Sequence, residues 1–396
     1  MRNRIIIFFK SSPIILNLCW KMAEIGLKVW SLFVPVKTKT MMFASFGGRK
    51  FDDSPRALYE EILKREEFND WTMIWAFVNP EKFEIPRGEK IKIDTLSFFK
   101  AMISSKVLIS NSGMTRGIAF ERKNVIRVET WHGTPLKKIG GEENQNSLGG
   151  KKKKTSKKID NKTIRCAQSE FDRKIFARIF HASKDSILLS DLPRNDELLK
   201  YRQDDIKEIR EALSIPKDKK VILYTPTYRE YLVNENHNTY IAPPMDLKKW
   251  EEKLGGQYVL LMRAHYAVSE ALGIKDTEFI KDVSNYGKLN DLYAVADCMI
   301  SDYSSTYFDY SILDRPMFCF AYDLEEYEEK RGLYLDMETT LPCSIDKTED
   351  ELLESILTMD ERKMSEETSR FHKRFAPYAG NASGVVVDAI LKKLCV

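Results

Sequence analysis

The sequence predicts an α/β protein with two halves, each built on a parallel β-sheet, that face each other across a cleft. Short apolar runs of strand length alternate with helical patterns along most of the 396 residues, as in parallel sheets covered by helices. The alternation forms two series that meet in the polar, charge-rich region Ser190–Asp218, and no solenoid-length repeat is visible. Two Rossmann-like halves are the simplest architecture that fits this pattern.

The predicted strands divide into a series before residue 200 and a series after it. The first series is Met41–Phe46, Thr72–Val78, Lys106–Ser110, Asn124–Glu129 and Thr163–Ala167. The second series is Val221–Tyr224, Tyr258–Arg263, Cys298–Ser301 and Met317–Ala321. Helical patterns near residues 349–373 and 384–394 close the chain. The predicted organisation is an N-terminal segment of residues 1–39, a first domain of residues 40–200 and a second domain of residues 201–396.

The composition excludes several classes of protein. Hydrophobic residues make up 43% of the chain and aromatic residues 11%, which is too much for a disordered protein. The net charge of +4 is too small for a dedicated nucleic-acid-binding protein, so no nucleic-acid partner is expected. The six cysteines form no CxxC pair, which excludes a disulfide scaffold and disfavours a zinc site. We expect a soluble-class, cytosol-facing chain that is large enough for an enzyme.

The first 39 residues contain an amphipathic helical pattern. Their longest uncharged run, Ser11–Trp20, is about half of what a membrane-spanning helix needs. One helical face is apolar and consists of Ile14, Leu18, Met22, Ile25, Val29, Leu32 and Phe33. Basic residues flank this face, and Glu24 is the one acidic residue of the segment. The pattern favours a helix lying in an anionic membrane surface, and a helix packed on the protein's own core is the alternative.

A histidine follows the predicted strand Asn124–Glu129, in the turn Thr130–Lys137. Open parallel sheets bind ligands at the carboxyl ends of their strands, so this turn is a candidate site. Gly133 allows close approach to the backbone, and Lys137 favours an anionic substrate. A reference pKa of about 6.5 makes His132 suitable as a general base for a hydroxyl nucleophile. A turn histidine bonded to backbone is the alternative, and the distinctive surrounding sequence favours the catalytic role.

A hydroxyl-rich turn lies between the predicted strand Cys298–Ser301 and a helical pattern at Tyr307–Asp314. It contains Ser304, Ser305 and Thr306. A helix start with several hydroxyls presents N–H and O–H donors to an anion. Because an ordinary N-cap needs only one hydroxyl, three in succession favour a phosphate site. The turn lacks the glycines of a Walker or dinucleotide-binding motif, so the site is of another type.

Two further cationic clusters lie at strand ends in the second series. Arg263 and His265 follow the predicted strand that begins at Tyr258, and side chains two apart on an extended segment share a face. Both can therefore point into the crevice, where arginine binds phosphate in a bidentate manner. The segment Tyr224–Arg229 is another strand end that carries a cation. Each cluster is a weak indication when taken alone.

Together these segments resemble the CDP-glycerol glycerophosphotransferases, the poly(glycerol-phosphate) and ribitol-phosphate transferases of wall teichoic acid and related capsule synthesis. The resemblance runs from about Met41 to the C-terminus, and its two motifs around His132 and Asp302–Asp309 are long and specific. The matching segments are Trp131–Lys137, Tyr224–Arg229, Arg263–His265, Ser301–Asp309, Arg315-Pro316 and Asp323. The chain departs from the family pattern at Ala379–Ser383, where an Asp-Gly is expected before Ala-Ser, and at Gly384.

The resemblance implies a GT-B-like fold with an acceptor-side first domain, a CDP-donor-binding second domain and monotopic membrane association. It implies that His132 is the catalytic base. The residues that it places at the donor diphosphate are Arg263, His265, Ser304, Ser305 and Thr306. Other possible donor or substrate contacts are Gly133, Thr134, Lys137, Arg229, Asp302 and Asp309. No metal ion and no cofactor is expected.

The predicted reaction transfers a phosphopolyol from a CDP-activated donor to an acceptor hydroxyl and releases CMP. The expected donor is CDP-glycerol, and the expected acceptor is an undecaprenyl-type lipid-linked molecule or a polymer. The expected location is the cytoplasmic face of the cell membrane, where the protein is bound peripherally. The alternatives are a CDP-ribitol-dependent transferase, a GT-B sugar-nucleotide glycosyltransferase and a non-catalytic, membrane-bound polyanion-binding protein.

The run Lys151–Lys158 contains six lysines in eight residues. Such a run is typical of a solvated loop. The alternative is contact with anionic lipid headgroups or with a polyphosphate acceptor.

Overall fold

The computed structural model describes residues 13–118, 120–144, 162–227, 229, 243–264 and 274–395. Within these residues the chain forms a seven-stranded sheet followed by a six-stranded sheet, and every pair of neighbouring strands is parallel. The predicted α/β architecture with two parallel sheets is therefore confirmed.

The first sheet has the strand order β3-β2-β1-β4-β5-β6-β7. Its strands are β1 (Lys37–Ala44), β2 (Thr72–Phe77), β3 (Glu89–Lys92), β4 (Ser105–Ser110), β5 (Ile126–Glu129), β6 (Thr163–Ala167) and β7 (Ile187–Leu189). This is the doubly wound Rossmann order with one added strand. The order reverses between β1 and β4, and ligands bind at such switch points.

The second sheet repeats this order as β10-β9-β8-β11-β12-β13. Its strands are β8 (Lys220–Thr225), β9 (Tyr258–Met262), β10 (Ile280–Asp282), β11 (Cys298–Ser301), β12 (Met317–Phe320) and β13 (Ile345–Asp346). The switch point lies between β8 and β11.

Helices cover both faces of the sheets. They are Pro13–Phe33, Asp53–Ile62, Leu96–Ser104, Glu170–Ile179, Gln203–Ala212, Leu247–Leu254, Leu289–Val295, Thr306–Tyr310, Leu324–Lys330, Met337–Thr340, Glu349–Leu357, Glu361–Phe375 and Ala382–Leu394. The helical pattern near 349–373 forms two helices. The second begins where the Asp360 side chain accepts a hydrogen bond from the Lys363 N–H at 3.0 Å.

Each predicted strand is present, with ends that differ by a few residues. The strands that the sequence did not predict are β3, β7, β10 and β13, which form the edges of the two sheets. They are two to four residues long and partly exposed. An edge strand of this kind lacks the continuous apolar run of a central parallel strand, so the sequence carries little signal for it.

The central strands bury both of their faces. In β1, Met41 and Phe43 pack into one core, while Met42 and Ala44 pack into the core on the other face. Strand β8 divides its side chains in the same way between two cores. Because side chains alternate along a strand, an uninterrupted apolar run is what a sheet covered on both faces requires.

The last helix, Ala382–Leu394, returns to the first sheet. Its Val386 and Ile390 are fully buried in the core of that sheet, although the sequence division at residue 200 places the helix with the second domain. At its start, the N–H groups of Ala382 and Ser383 donate to the Asp196 carboxylate at 2.6 and 2.7 Å. The chain therefore crosses between the halves a second time.

The N-terminal helix Pro13–Phe33 packs on the first half through one face only. Leu27 is buried there, with Ala23 and Trp30 beside it. The predicted apolar face points away from the protein, with Leu32 80% exposed and Phe33 79% exposed. Among the described helices, none combines the length and the apolar character needed to cross a bilayer.

Candidate active site

A cleft lies between the two halves, at the carboxyl ends of their strands. It contains two adjoining cavities of about 370 and about 620 Å³. The residues that line both cavities come from both halves and are Lys50, Asp52, Arg56, Arg263 and Lys288. Since open parallel sheets bind ligands at this edge, the cleft is the candidate active site.

His132 lines the first cavity, on the turn that follows β5. Its Nδ1 lies 3.0 Å from the carbonyl oxygen of Asn111, just after β4, so Nδ1 is the nitrogen that donates in the neutral ring. The ring stacks on Trp131, with centroids 4.3 Å apart. Trp131 has a left-handed φ of +56°, a strained conformation that is often found at functional sites. These contacts fix the ring and leave Nε2 for the cleft.

The environment of His132 favours its neutral form. Burial lowers the pKa of His132, and the positive charge of Arg194 lowers it further. The hydrogen bond to Asn111 and the charge of Asp53 raise it by less. A neutral imidazole whose Nε2 is unprotonated is the state that a general base needs.

Arg194 connects the two halves next to His132. Its Nη1 donates to Asp53 Oδ2 at 2.6 Å and to the carbonyl oxygen of His132 at 3.1 Å. Its Nη2 donates to Asp309 Oδ2 at 2.6 Å, and Asp309 Oδ1 accepts from Asn195 Nδ2 at 3.0 Å. Burial disfavours the charged guanidinium, but the two carboxylates outweigh it and raise the pKa of Arg194. Asp309, a predicted substrate contact, is thus engaged in a buried ion pair at the cavity wall.

The hydroxyl-rich turn of the second half forms the opposite wall. Ser305 and Thr306 line the first cavity together with His132. The Thr306 N–H lies 3.3 Å from Ser304 Oγ, so Ser304 interacts with the backbone of the turn itself. Two of the three predicted hydroxyl residues are thus at the cavity, and the third supports the turn.

Gly133 allows the two halves to meet. Its φ is +143°, and a Cβ atom at this position would lie 2.5 Å from Ser305 Oγ and 2.8 Å from Ser305 Cβ. Such distances are too short for a side chain. The close approach predicted for Gly133 is therefore made by the turn of the second half.

Arg263 lines both cavities from the end of β9. Its Nη1 donates to the carbonyl oxygen of Tyr286 at 2.8 Å. Burial lowers the pKa of Arg263, although a guanidinium stays charged in proteins. The predicted neighbour His265 lies outside the described residues, as does the basic run Lys151–Lys158.

Arg229 and Asp302 form a buried ion pair behind the cleft. Arg229 Nη1 donates to Asp302 Oδ2 at 2.5 Å, and its Nη2 donates to Asp323 Oδ1 at 2.8 Å. Asp302 also accepts from the Thr227 N–H at 2.9 Å, and the guanidinium lies over the ring of Tyr303. Other groups of the protein already bond both side chains, and the pair links the turn after β8 to the turn after β11. The substrate contacts predicted for them stay predictions.

Thr134 and Lys137 lie beyond the two described cavities. The buried hydroxyl of Thr134 bonds with Gln168 Oε1 at 2.8 Å. Lys137 pairs with Leu333 in an antiparallel bridge between the two halves. Substrate contact by either residue also stays a prediction.

Sequence reasoning missed several residues that line the cleft. Lys50, Asp52 and Arg56 follow β1 and the pair Gly47-Gly48, the same strand-end position that pointed to His132. Their position directly after a predicted strand could have identified them as cleft residues from the sequence. No comparable signal marks Arg194, whose role is visible only once the chain has folded.

A fixed neutral histidine opposite an arginine and two hydroxyls can abstract a proton and bind an anionic group. Two Rossmann-like domains that face each other across such a cleft define the GT-B-like class of enzymes. The chain belongs to the CDP-glycerol:poly(glycerophosphate) glycerophosphotransferase family, whose sequence profile matches residues 27–392. The family predicted from the motifs is therefore confirmed.

The chain is similar to several curated teichoic acid enzymes. It is 34% identical over 372 residues to a teichoic acid poly(glycerol phosphate) polymerase of Staphylococcus epidermidis, covering 91% of this chain and 51% of that protein. It is 33% identical over 370 residues to a teichoic acid glycerol-phosphate transferase of Staphylococcus aureus, covering 88% of this chain and 92% of that protein. It is 29% identical over 363 residues to a teichoic acid poly(ribitol-phosphate) polymerase of Bacillus spizizenii, covering 90% of this chain and 57% of that protein. The chain thus spans about half of the first polymerase and nearly all of the transferase.

The fold is similar to that of the wall teichoic acid polymerase TagF. One TagF structure matches with a TM-score of 0.83 and 31% identity over 98% of both chains. A histidine-to-asparagine variant of TagF soaked with CDPG matches with a TM-score of 0.81 and 32% identity, over 91% of this chain and 90% of that one. A UDP-GlcNAc 2-epimerase from Neisseria meningitidis shares the fold alone. It matches with a TM-score of 0.54 and 13% identity, over 89% of this chain and 99% of that one.

Proposed function

We propose that this protein transfers a glycerol phosphate unit from CDP-glycerol to a hydroxyl of a teichoic acid precursor or polymer and releases CMP. The observation that carries this proposal is the placement of His132, whose Nδ1 is held by Asn111 and which lines one cavity together with Arg263, Ser305 and Thr306. The family and the relatives that act on glycerol phosphate support it.

The proposed reaction begins with proton removal. Nε2 of His132 takes the proton of the acceptor hydroxyl, and the oxygen attacks the phosphorus that carries the glycerol. A new P–O bond forms while the bond to the bridging oxygen breaks, and CMP leaves with the electron pair. Holding the reactants in line and stabilising the developing charge are the main tasks of an enzyme in phosphoryl transfer.

The second half supplies the groups that suit the donor diphosphate. The half-buried Arg263 places a positive charge in the cavity, and Lys288, which pairs with Glu197 and Asp291, lines the same cavities. Ser305 and Thr306 bring hydroxyl donors to the same wall. Donors that the protein already holds in place stabilise phosphate charge better than mobile groups do, because they need no reorganisation during the reaction.

Glycerol is favoured over ribitol as the transferred polyol. The S. epidermidis and S. aureus relatives named for glycerol phosphate are 34% and 33% identical, whereas the poly(ribitol-phosphate) polymerase is 29% identical. The acceptor is proposed to be lipid-linked or polymeric, because the relatives named as transferases or polymerases build teichoic acid.

We further propose that the protein lies on the anionic, cytoplasmic surface of the cell membrane. The support is the helix Pro13–Phe33, which is anchored to the protein by Leu27 and exposes a row of large apolar side chains on its other face. Exposed apolar rows of this kind, with lysines near by, are typical of helices that lie in a membrane interface. The helix would also keep the active site close to a lipid-linked acceptor.

The decisive experiment measures CMP release from CDP-glycerol, CDP-ribitol and UDP-sugars with a lipid-linked glycerol phosphate acceptor. We expect turnover with CDP-glycerol and a loss of about 10²–10⁴-fold in His132→Asn, with binding of CDP-glycerol retained. The control is His181→Asn, at an exposed histidine whose left-handed φ of +48° asparagine tolerates. Turnover with UDP-sugars alone would contradict the proposed function, and full activity of His132→Asn would contradict the proposed base.

A further inference from the structure

Asp52 is the one acidic side chain that lines both described cavities, and other carboxylates, such as Glu60 and Glu197, line the first. It lies there with Arg263 and Lys288 of the second half. The reaction proposed above gives it no task. Since Asp52 and the proposed base His132 line the same cavity, a hydroxyl-bearing ligand suits Asp52 better than a phosphate does.

The Asp52 carboxylate interacts with the adjacent Asp53 N–H but does not cap the helix that follows it. Asp52 occupies the N-cap position of the helix Asp53–Ile62, yet its side chain makes no capping hydrogen bond. The next residue, Asp53, has a left-handed φ of +63° and is anchored by Arg194 at 2.6 Å. Asp53 Oδ1 also accepts from the Ser54 N–H at 2.7 Å. Asp53 thus stabilises the helix start, whereas the Asp52 side chain lines the cleft.

The charge of a carboxylate makes hydroxyl groups better ligands for Asp52 than the donor phosphates are. Burial is the largest influence on Asp52 and, with the negative charge of Asp53, raises the pKa of Asp52, although the Asp53 N–H and the charges of Lys50 and Arg56 lower it. The negative charge of Asp52 acts across the cleft to raise the pKa of Arg263, against the larger lowering by burial. In the described part of the chain, no cation pairs directly with Asp52. A carboxylate repels phosphate but accepts strong hydrogen bonds from hydroxyl groups.

We propose that Asp52 binds the hydroxyl groups of the acceptor's terminal unit and so directs the attacking hydroxyl toward His132. The ligand class is the end of a polyol that carries a second hydroxyl beside the attacking one. Asp52 and His132 belong to the same half, whereas Arg263 and Ser305, which suit the donor, belong to the other. This inference rests on the proposed function.

The test compares two acceptors in CDP-glycerol-dependent transfer. One ends in glycerol phosphate, and the other ends in 1,3-propanediol phosphate, which keeps the primary hydroxyl and lacks its neighbour. In Asp52→Ala we expect the KM for the glycerol-ended acceptor to rise about tenfold or more, as for loss of a hydrogen bond to a charged group. The KM for the propanediol-ended acceptor should stay unchanged, and the KM for CDP-glycerol should not rise, because removing a negative charge near Arg263 does not weaken phosphate binding.

Two further variants sharpen the comparison. Asp52→Asn keeps the shape and one acceptor oxygen, so its KM for the glycerol-ended acceptor should rise by less. Glu84→Gln removes one negative charge from a side chain of the same half that is 94% exposed, and it should behave as the wild type.

Each other outcome overturns the assignment. A higher KM for CDP-glycerol would place Asp52 at the donor polyol. Equal losses with both acceptors would exclude recognition of the second hydroxyl. An active wild type with unaffected Asp52 variants would overturn this inference alone, whereas a wild type that transfers to neither acceptor would overturn the proposed function as well.

Discussion

Arg194 Nη2 lies 2.6 Å from Asp309 Oδ2, and this ion pair crosses from the first half of the molecule to the second. The same guanidinium bonds the carbonyl oxygen of His132. Asp309 lies on the helix Thr306–Tyr310, directly after the hydroxyl-rich turn. One buried cation therefore links the turn that carries the proposed base to the turn proposed to hold the donor.

Replacing Arg194 should weaken both folding and activity. Arg194→Met leaves Asp53 and Asp309 buried without their cation, and removal of one partner of a buried pair costs about 3–5 kcal/mol. Denaturant titration should show this loss, and CMP release should fall with it. Arg194→Lys keeps the charge but not the fork of donors, so its effect should be intermediate.

The control for this prediction is Arg202→Met. Arg202 is 77% exposed and pairs with Asp205 three residues on, so its loss should change the unfolding free energy by less than about 0.5 kcal/mol. Equal midpoints for Arg194→Met and the wild type would show that the halves are held together by other contacts.

Much of the fold could be predicted because the central strands are buried on both faces. Continuous apolar runs such as Tyr258–Met262 mark these strands directly, and the position after each run marks the site edge. The position of His132, Ser305 and Arg263 at this edge was predicted in this way, and all three line the first cavity. The short edge strands were not found, since their partly exposed residues carry no such run.

The tasks of the polar residues were harder to predict than their location. Asp302, Asp309 and Arg229 lie in segments that predicted donor or substrate contacts, yet each is engaged by a partner far along the chain. The partner of Asp309 is 115 residues away and that of Asp302 is 73 residues away. Only the packing of the two sheets decides which charges meet each other and which ones meet a substrate.

The contact between Gly133 and Ser305 should be intolerant of any side chain. In Gly133→Ala the new methyl group would overlap Ser305, and the φ of +143° would add backbone strain of about 1–3 kcal/mol. We expect the turn of the second half to shift and the KM for CDP-glycerol to rise at least about tenfold, measured by CMP release.

Gly141→Ala is the matched control. Gly141 also has a positive φ, +91°, but a Cβ atom there would meet nothing within 4 Å. This variant should carry the backbone strain but no steric overlap. Its unfolding free energy should therefore fall, while its KM for CDP-glycerol should not change. Identical kinetics for the two variants would mean that the Gly133 contact does not position the donor site.

Membrane binding should depend on the exposed face of the N-terminal helix. Ile25 and Leu32 are 60% and 80% exposed, so changing both to Gln leaves the core intact. Burying one such side chain contributes about 1.5–3 kcal/mol, so the double variant should bind anionic vesicles at least tenfold more weakly in a sedimentation assay. Leu357→Gln, at a 47% exposed leucine of the second half, should bind as the wild type does. Unchanged vesicle binding of the double variant would exclude this face as the contact.

The pH dependence of the reaction should report the environment of His132. Burial places the pKa of His132 below its usual value of 6.5. A general base works only when it is neutral, and lowering the pH protonates it. Since the folded-state pKa is depressed, kcat/KM should stay high through pH 6.5 and fall only at lower pH. The diphosphate diester of the donor does not titrate in this range. The fall of kcat/KM at low pH, the acid limb of the profile, is therefore assigned to a group of the enzyme.

Arg194 provides the internal test of that assignment. Its positive charge lowers the pKa of His132, so removing the charge in Arg194→Met should move the acid limb of kcat/KM to higher pH. Arg194→Lys keeps the charge and should leave the limb closer to that of the wild type. The measurement is CMP release at low CDP-glycerol concentration between pH 5 and pH 8. A limb that lies above pH 6.5 in the wild type, or that does not respond to Arg194→Met, would assign the titrating base to a residue other than His132.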